Sequence, residues 1–350
     1  MTVIHMDNKK EKKITVGDLA EYAGVSPATV SRVLNRRNLV KGETFERVMK
    51  AIDALGYELP PVEGAASSGS AAAGHGPIFI TLPSLSNPFY DEIIKGARTS
   101  VREHGYDLLI HEGHINESSI GFLESLISRY HAAGFITLNH IETSICRRLA
   151  AAVPLVQCSE FNDAVDTPYV SIDNFSAARN AVNHLIRLGR RRIAILNGPA
   201  RYGYSRGRLA GYRAALEDAG IAYDESYVVH LPDITADYAL SAMMQLLKQP
   251  VAPDAVFCSS DVFAMPIVRA CHLLNKQVPE DIALVSFDNL DISKNMTPSI
   301  SSVRQPRLQL GYLSAEALFE KISDPSLPNK KTLLDTELII RESSTLPGAC

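Results

Sequence analysis

From Pro77 onward, short unbroken apolar runs alternate with longer stretches in which apolar positions recur every three or four residues. The runs at residues 78–82, 107–111, 134–138, 155–158, 192–196, 255–258 and 282–287 have the length of strands buried on both faces. Segments between them, such as 90–104 and 176–188, carry the helical period, and Gly189 stops the second of these. Strands separated by helices pair in parallel, because a parallel partner is reached only through a crossover. About ten such alternations exceed what one doubly wound sheet commonly holds, so the pattern predicts two similar α/β lobes.

The first sixty residues have a purely helical rhythm. Thr15 followed by Asp18 can cap a helix over 16–23, with Leu19, Ala20 and Ala23 on its buried face and Gly24 as its stop. After the turn Gly24-Val25-Ser26, a second helix starts with Ser26 as N-cap and Pro27 at its first position, and runs through residues 28–35. Its spacing turns Val30, Val33 and Leu34 inward and leaves Thr29, Ser31, Arg32 and Asn35 outward. A third helix, over 42–55 and closed by Gly56, completes a small core. Two short helices across a tight turn form a helix-turn-helix, whose second helix can lie in the major groove of DNA. An αα-hairpin with no nucleic-acid role satisfies the same spacing. Residues 60–77 are mostly Pro, Gly, Ala and Ser and read as a linker between this head and the α/β body.

Composition narrows the class. The 350 residues are 46% apolar, enough for more than one buried core, and neither a signal peptide nor an 18-residue apolar span is present, so a soluble, cytoplasmic protein is expected. The cysteines, Cys146, Cys158, Cys258, Cys271 and Cys350, are scattered without a CxxC pair, which fits buried thiols better than disulfides or zinc. The net charge of −4 conceals an asymmetry, since the first sixty residues carry ten Lys or Arg against eight Asp or Glu. Positive charge clusters there at Lys9, Lys10, Lys12 and Lys13 and again at Arg32, Arg36 and Arg37. No GxGxxG follows the first strand, and GxxxxGK[ST] and HExxH are absent, so an enzyme is not expected, nor a cofactor or metal.

Residues 14–35, ITVGDLAEYAGVSPATVSRVLN, closely resemble the DNA-binding signature of the LacI family of bacterial transcription regulators, as does the run on to Leu55, Gly56 and Tyr57. The resemblance continues through SNPFY (86–90), DN (173–174), RLAGY (208–212), SSD (259–261), SFD (286–288) and IIRES (339–343), and so covers nearly the whole chain. It implies an all-α helix-turn-helix domain over 1–59, a hinge over 60–77, and a body over 78–345 of two doubly wound, parallel-sheet lobes like those of periplasmic sugar-binding proteins. One lobe would hold 78–173 and 307–333, the other 174–304 and 334–345, leaving 346–350 as a tail. By the same resemblance Pro27, Ala28 and Arg32 read bases, while Thr29, Ser31 and Asn35 suit phosphate and sugar contacts; with the capping residues Thr15 and Ser26 they form the candidate operator-binding set. Arg32 can bond a guanine edge through two donors, whereas Pro27 and Ala28 offer apolar contact only. Relatives carry a hinge helix with a wedging Leu in the minor groove. Here residues 59–68 contain a Pro pair, a glycine and no Arg, so sharp bending of the operator is not expected.

For the body, the resemblance implies a small polar effector between the lobes, beyond the carboxyl ends of the strands. Asn87, Phe89 and Tyr90 follow the first strand and can offer an aromatic face with an amide beside it. Arg208 and Asp288 match ligand-holding positions and supply a donor fork with paired acceptors. Arg206, Ser260, Asp261 and Gln305 fall near the same crevice. Ser159 and Glu160 stand where relatives often have Asp and its neighbour, and Asp233 and Ile234 stand where some carry a stacking aromatic. A sugar or sugar derivative is the expected ligand. A nucleobase or nucleoside acting as corepressor is the alternative, which an aromatic clamp facing Phe89 across the cleft would favour. The family implies a homodimer on palindromic double-stranded DNA. A periplasmic binding protein would share the body but lack residues 14–57.

Overall fold

The computed structural model describes residues 14–35, 40–57 and 76–345. They fall in two compact units that divide at Glu63 and Gly64. The expected linker lies outside the described residues apart from Gly76 and Pro77, and so do the N-terminal lysines, Arg36, Arg37 and residues 346–350.

The first unit is three helices, α1 (Val16–Ala23), α2 (Pro27–Asn35) and α3 (Gly42–Leu55). Thr15 and Asp18 form a reciprocal capping box: the Asp18 amide donates to the Thr15 hydroxyl at 3.3 Å and the Thr15 amide to the Asp18 carboxylate at 2.7 Å. Gly24, at φ 60°, takes the left-handed turn that ends α1. Ser26 then caps α2 by accepting from the Thr29 amide at 3.1 Å. Leu19, Val30, Val33, Phe45, Val48 and Ala51 are fully buried between the helices, and Leu34 is half-buried at their rim. Arg47, on α3, donates to the carbonyls of Ala23 and Gly24 and ties α3 to the turn before α2.

The second unit runs β1 (Ile78–Leu82), α4 (Asp91–Glu103), β2 (Leu108–Glu112), α5 (Ile120–Tyr130), β3 (Gly134–Thr137), α6 (Thr143–Ala152), β4 (Leu155–Cys158) and β5 (Tyr169–Ile172). It continues with α7 (Asn174–Arg187), β6 (Ile193–Asn197), α8 (Gly203–Asp218), β7 (Val228–His230), α9 (Ala236–Leu246), β8 (Ala255–Cys258), α10 (Ala264–Leu273), β9 (Ala283–Asp288), α11 (Asp291–Asn295) and β10 (Ser301–Arg304). Last come α12 (Arg307–Ser323), β11 (Lys331–Leu334) and β12 (Glu337–Ile339). Two six-stranded sheets result, ordered β11-β5-β4-β3-β1-β2 and β12-β10-β9-β8-β6-β7. All pairings are parallel except β10 with β12. The chain passes from one sheet to the other three times, after β5, after β10 and between β11 and β12.

Central strands are apolar on both sides because helices cover both faces; every residue of β1, β6 and β9 is buried. The lobes share a packing device. A Cβ on Gly311 of α12 would lie 1.9 Å from the Ile93 carbonyl oxygen of α4, and one on Gly211 of α8 would lie 2.2 Å from the Phe175 carbonyl oxygen of α7, so each lobe brings two helices together backbone to backbone. Five strands were not among the expected runs: β5, β7, β10, β11 and β12. They are three or four residues long, and β10 begins with Ser301 and Ser302, polar but fully buried.

Candidate effector cleft and DNA-reading helix

On α2 the outer positions are open: Pro27, Ala28, Ser31 and Arg32 are exposed. Thr29 is half-buried, and its hydroxyl is 2.8 Å from that of Ser26. Thr15 and Ser26 already spend their hydroxyls on helix caps. Asn35 closes α2, and its side chain lies outside the described residues.

A cleft of about 800 Å³, counted to its open mouth, lies between the lobes at the carboxyl ends of the strands. On the first lobe, Asn87 accepts from the Phe89 amide at 3.0 Å and so caps the short 3-10 turn Pro88–Tyr90, which carries Phe89 and Tyr90 into the lining. Their rings meet edge to face at 5.3 Å. The turn after β4 adds Ser159 and Glu160. On the second lobe, Tyr202 and Tyr204 at the start of α8 stack on each other at 5.2 Å, and Arg208 follows one turn later. Ser259, Ser260 and Asp288 reach the cleft from the ends of β8 and β9.

Arg208 and Asp288 form the polar floor. Arg208 is 5% exposed; its Nε donates to Asn174 at 2.9 Å, its Nη1 donates to the Ser259 carbonyl, and its Cζ lies 3.6 Å from the Phe287 ring centroid. Nη1 stands 4.0 Å from Asp288 Oδ1. Asp288, held at φ 106°, accepts from Ser260 Oγ at 2.9 Å and from Gln305 Nε2 at 2.7 Å. Burial raises its pKa, against the pull of Arg208 and of those hydrogen bonds, and burial lowers that of Arg208. The phenols of Tyr90, Tyr202 and Tyr204 are raised by burial and stay protonated donors at neutral pH.

The sequence profile of the bacterial regulatory proteins, lacI family, matches residues 15–59, and that of the periplasmic binding protein-like domain matches residues 182–344. Over 340 residues, 96% of the chain and 98% of the relative, it is 33% identical to the HTH-type transcriptional repressor CytR of Escherichia coli K12. The chain belongs to the LacI family. Within that family of DNA-binding transcription regulators it is also 30% identical to the ribose operon repressor of Escherichia coli K12, over 94% of the chain and 99% of the relative. Among solved structures, the transcriptional regulator CelR in complex with cellobiose superposes with a TM-score of 0.71 at 30% identity, covering 94% of this chain and 99% of that one.

Of the LacI-family positions marked from sequence, Asn87, Phe89, Tyr90, Glu160, Arg208, Ser260 and Asp288 line the cleft. Three others do not. Asp261 points into the second lobe, where it accepts from the Leu290 amide at 2.6 Å and Ser302 Oγ at 2.8 Å, and it is fully buried. Arg206 is exposed and donates to the carbonyls of Ala200 and Arg201. Gln305 stands behind Asp288 and orients it. The neighbours Ser260 and Asp261 diverge because Ser260 bonds Asp288 in the lining whereas Asp261 bonds the Leu290 amide and Ser302 in the core. Tyr202, Tyr204 and Leu138 were missed as lining residues. The two tyrosines follow β6 as Phe89 and Tyr90 follow β1, so applying the strand-end rule to both lobes would have found them. Among the described residues no helix is long and apolar enough to cross a membrane, and no cluster of His, Cys, Asp or Glu could hold a metal.

Proposed function

We propose that this LacI-family protein is a cytoplasmic repressor whose hold on operator DNA is set by a small polyhydroxylated ligand, a sugar or sugar derivative, in the cleft. One observation carries the reading: Arg208 and Asp288 are buried side by side in the cleft lining, yet among the described residues three guanidinium N–H groups and part of the carboxylate's acceptor capacity stay unspent. A fixed fork beside a carboxylate matches adjacent hydroxyls. A ribose operon repressor and a cellobiose-bound regulator among the relatives support the same class. A nucleoside or nucleobase is the second reading, favoured by Phe89 and Tyr90 on one lobe with Tyr202 and Tyr204 on the other, which offer faces for a flat ring.

Residues 1–59 would read the operator through Arg32, Pro27 and Ala28, with Thr15, Ser26, Thr29, Ser31 and Asn35 on the backbone. Residues 60–77 would be the hinge, residues 78–345 the sensor, and a homodimer would place two heads on a palindrome. No catalytic role is proposed. The test is a thermal-shift screen of full-length protein against sugars, sugar acids and nucleosides, followed by operator anisotropy with each hit. A ligand at 100 times its Kd adds about 2.7 kcal/mol of stability. A hit that changes operator affinity supports the reading; stabilisation by sugars and nucleosides alike absent, with operator binding intact, overturns it.

A further inference from the structure

One cleft residue bonds across the two lobes. Glu160 stands on the first lobe, in the turn after β4, and is 4% exposed. Its Oε1 accepts from the Gly203 amide at 2.5 Å and its Oε2 from the Tyr204 amide at 3.2 Å, both at the start of α8 on the second lobe. The turn that presents it is braced: Ser159 adopts φ 65°, and its carbonyl accepts from Ser171 Oγ at 2.6 Å. A Cβ on Gly203 would lie 3.0 Å from Glu160 Oε1, so the close approach uses the missing side chain. His140, on the same lobe, places Nδ1 3.4 Å from Oε1.

The charge of the lining follows from these positions. Glu160, Asp233 and Asp288 line the cleft against Arg208, whose guanidinium already donates to Asn174 and Ser259. The α8 amides, where a ligand's phosphate or carboxylate would otherwise gain hydrogen bonds and the helix dipole, are filled by the protein's own carboxylate. An anionic ligand would have to displace Glu160, leaving a buried carboxylate without its amides and a like charge beside it.

We propose that Glu160 sets the charge selectivity of the cleft, admitting uncharged ligands and excluding their phosphorylated or carboxylated counterparts. This rests on the cleft being the effector site. Glu160→Gln removes the charge at nearly constant volume, and Glu160→Ala also frees both amides.

The experiment titrates full-length wild type, Glu160→Gln and Glu160→Ala with inorganic phosphate, D-ribose and D-ribose 5-phosphate at fixed ionic strength, by calorimetry and thermal shift. Far-UV circular dichroism checks that each variant is folded, and Glu160→Gln, which keeps one acceptor for the α8 amides, serves if the alanine variant is not. The expected result is at least a tenfold gain in affinity for inorganic phosphate and D-ribose 5-phosphate in a folded Glu160 variant over wild type. Phosphate that binds wild type as tightly as the variants, or a folded variant with no gain, overturns the proposal. A wild type that responds to no uncharged sugar or nucleoside counts against the effector reading instead, and the phosphate comparison does not depend on it.

Discussion

Arg208→Met is the sharpest perturbation of the cleft, because methionine keeps an unbranched stem of similar length and removes every donor along with the guanidinium that lies over Phe287. In the free protein it strips the Nε bond from Asn174 and the Nη1 bond from the Ser259 carbonyl, and takes away the cation that most opposes the raised pKa of Asp288. Breaking a buried ion pair costs about 3–5 kcal/mol when the survivor stays charged. Here the loss should fall nearer 2–3 kcal/mol, since Asp288 keeps Ser260 and Gln305 and can take up a proton. For the ligand, two charge-assisted hydrogen bonds at about 1.5–3 kcal/mol each amount to a loss of two to four orders of magnitude in affinity. With no tryptophan in the chain, unfolding is best followed by far-UV circular dichroism, ligand affinity by calorimetry and operator binding by anisotropy of labelled DNA. Operator affinity without ligand should match wild type. A ligand Kd within threefold of wild type would refute the assignment of Arg208 to the ligand.

Arg32→Ala should weaken operator binding by about 1–3 kcal/mol and relax one base position, whereas equal losses on operator and random DNA would make Arg32 a phosphate contact. Asp261 has its pKa raised to about 7 by burial and by Asp288. The folded state therefore holds its proton where the unfolded chain, near 3.9, has lost it, so its contribution to stability is complete at low pH and disappears as pH rises towards 7. The stability of wild type relative to Asp261→Asn should fall by about 1.4 kcal/mol per pH unit between about pH 5 and 6.5, and a flat difference in denaturation midpoints would count against this titration. Gly311→Ala should destabilise the body by about 3 kcal/mol or more, because its Cβ meets the Ile93 carbonyl oxygen at 1.9 Å. Gly121→Ala, with open space around it, should instead stabilise α5 by about 0.5–1 kcal/mol, and denaturant midpoints separate the two.

The head was legible almost residue by residue because its signals are local. Thr15 with Asp18, Gly24, Ser26 with Pro27, and Gly56 each satisfy or end a helix within a few positions of themselves. The body was legible where strands are apolar throughout, since burial on both faces leaves no room for polar residues. It became illegible where a strand's polar groups are satisfied inside the fold. Ser301 and Ser302 interrupt the apolar run expected of a buried strand, yet Ser302 donates to Asp261, and the Ser301 hydroxyl accepts from the Arg341 amide at 2.7 Å. Those partners are about forty residues away in sequence, so no window around β10 contains the reason it is a strand.

The cleft divides along the same line. Arg208 and Asp288 are marked by residue type and by family resemblance, but whether a polar side chain faces the cleft or the lobe interior depends on which partner satisfies it. Ser260 and Asp261 are adjacent; Ser260 turns to Asp288 in the lining, while Asp261 turns to the Leu290 amide and Ser302 in the core. Asp261 is thus a strut for the turn that follows β9, which the chain enters from Asp288, the strand's last residue, at φ 106°. Losing it should displace Asp288 without touching the ligand. Asp261→Ala would then weaken ligand binding together with body stability, whereas Ser260→Ala, which removes one bond to Asp288 directly, would weaken ligand binding with a smaller cost in stability. That difference separates a residue that holds the ligand's partner from one that holds the turn beneath it.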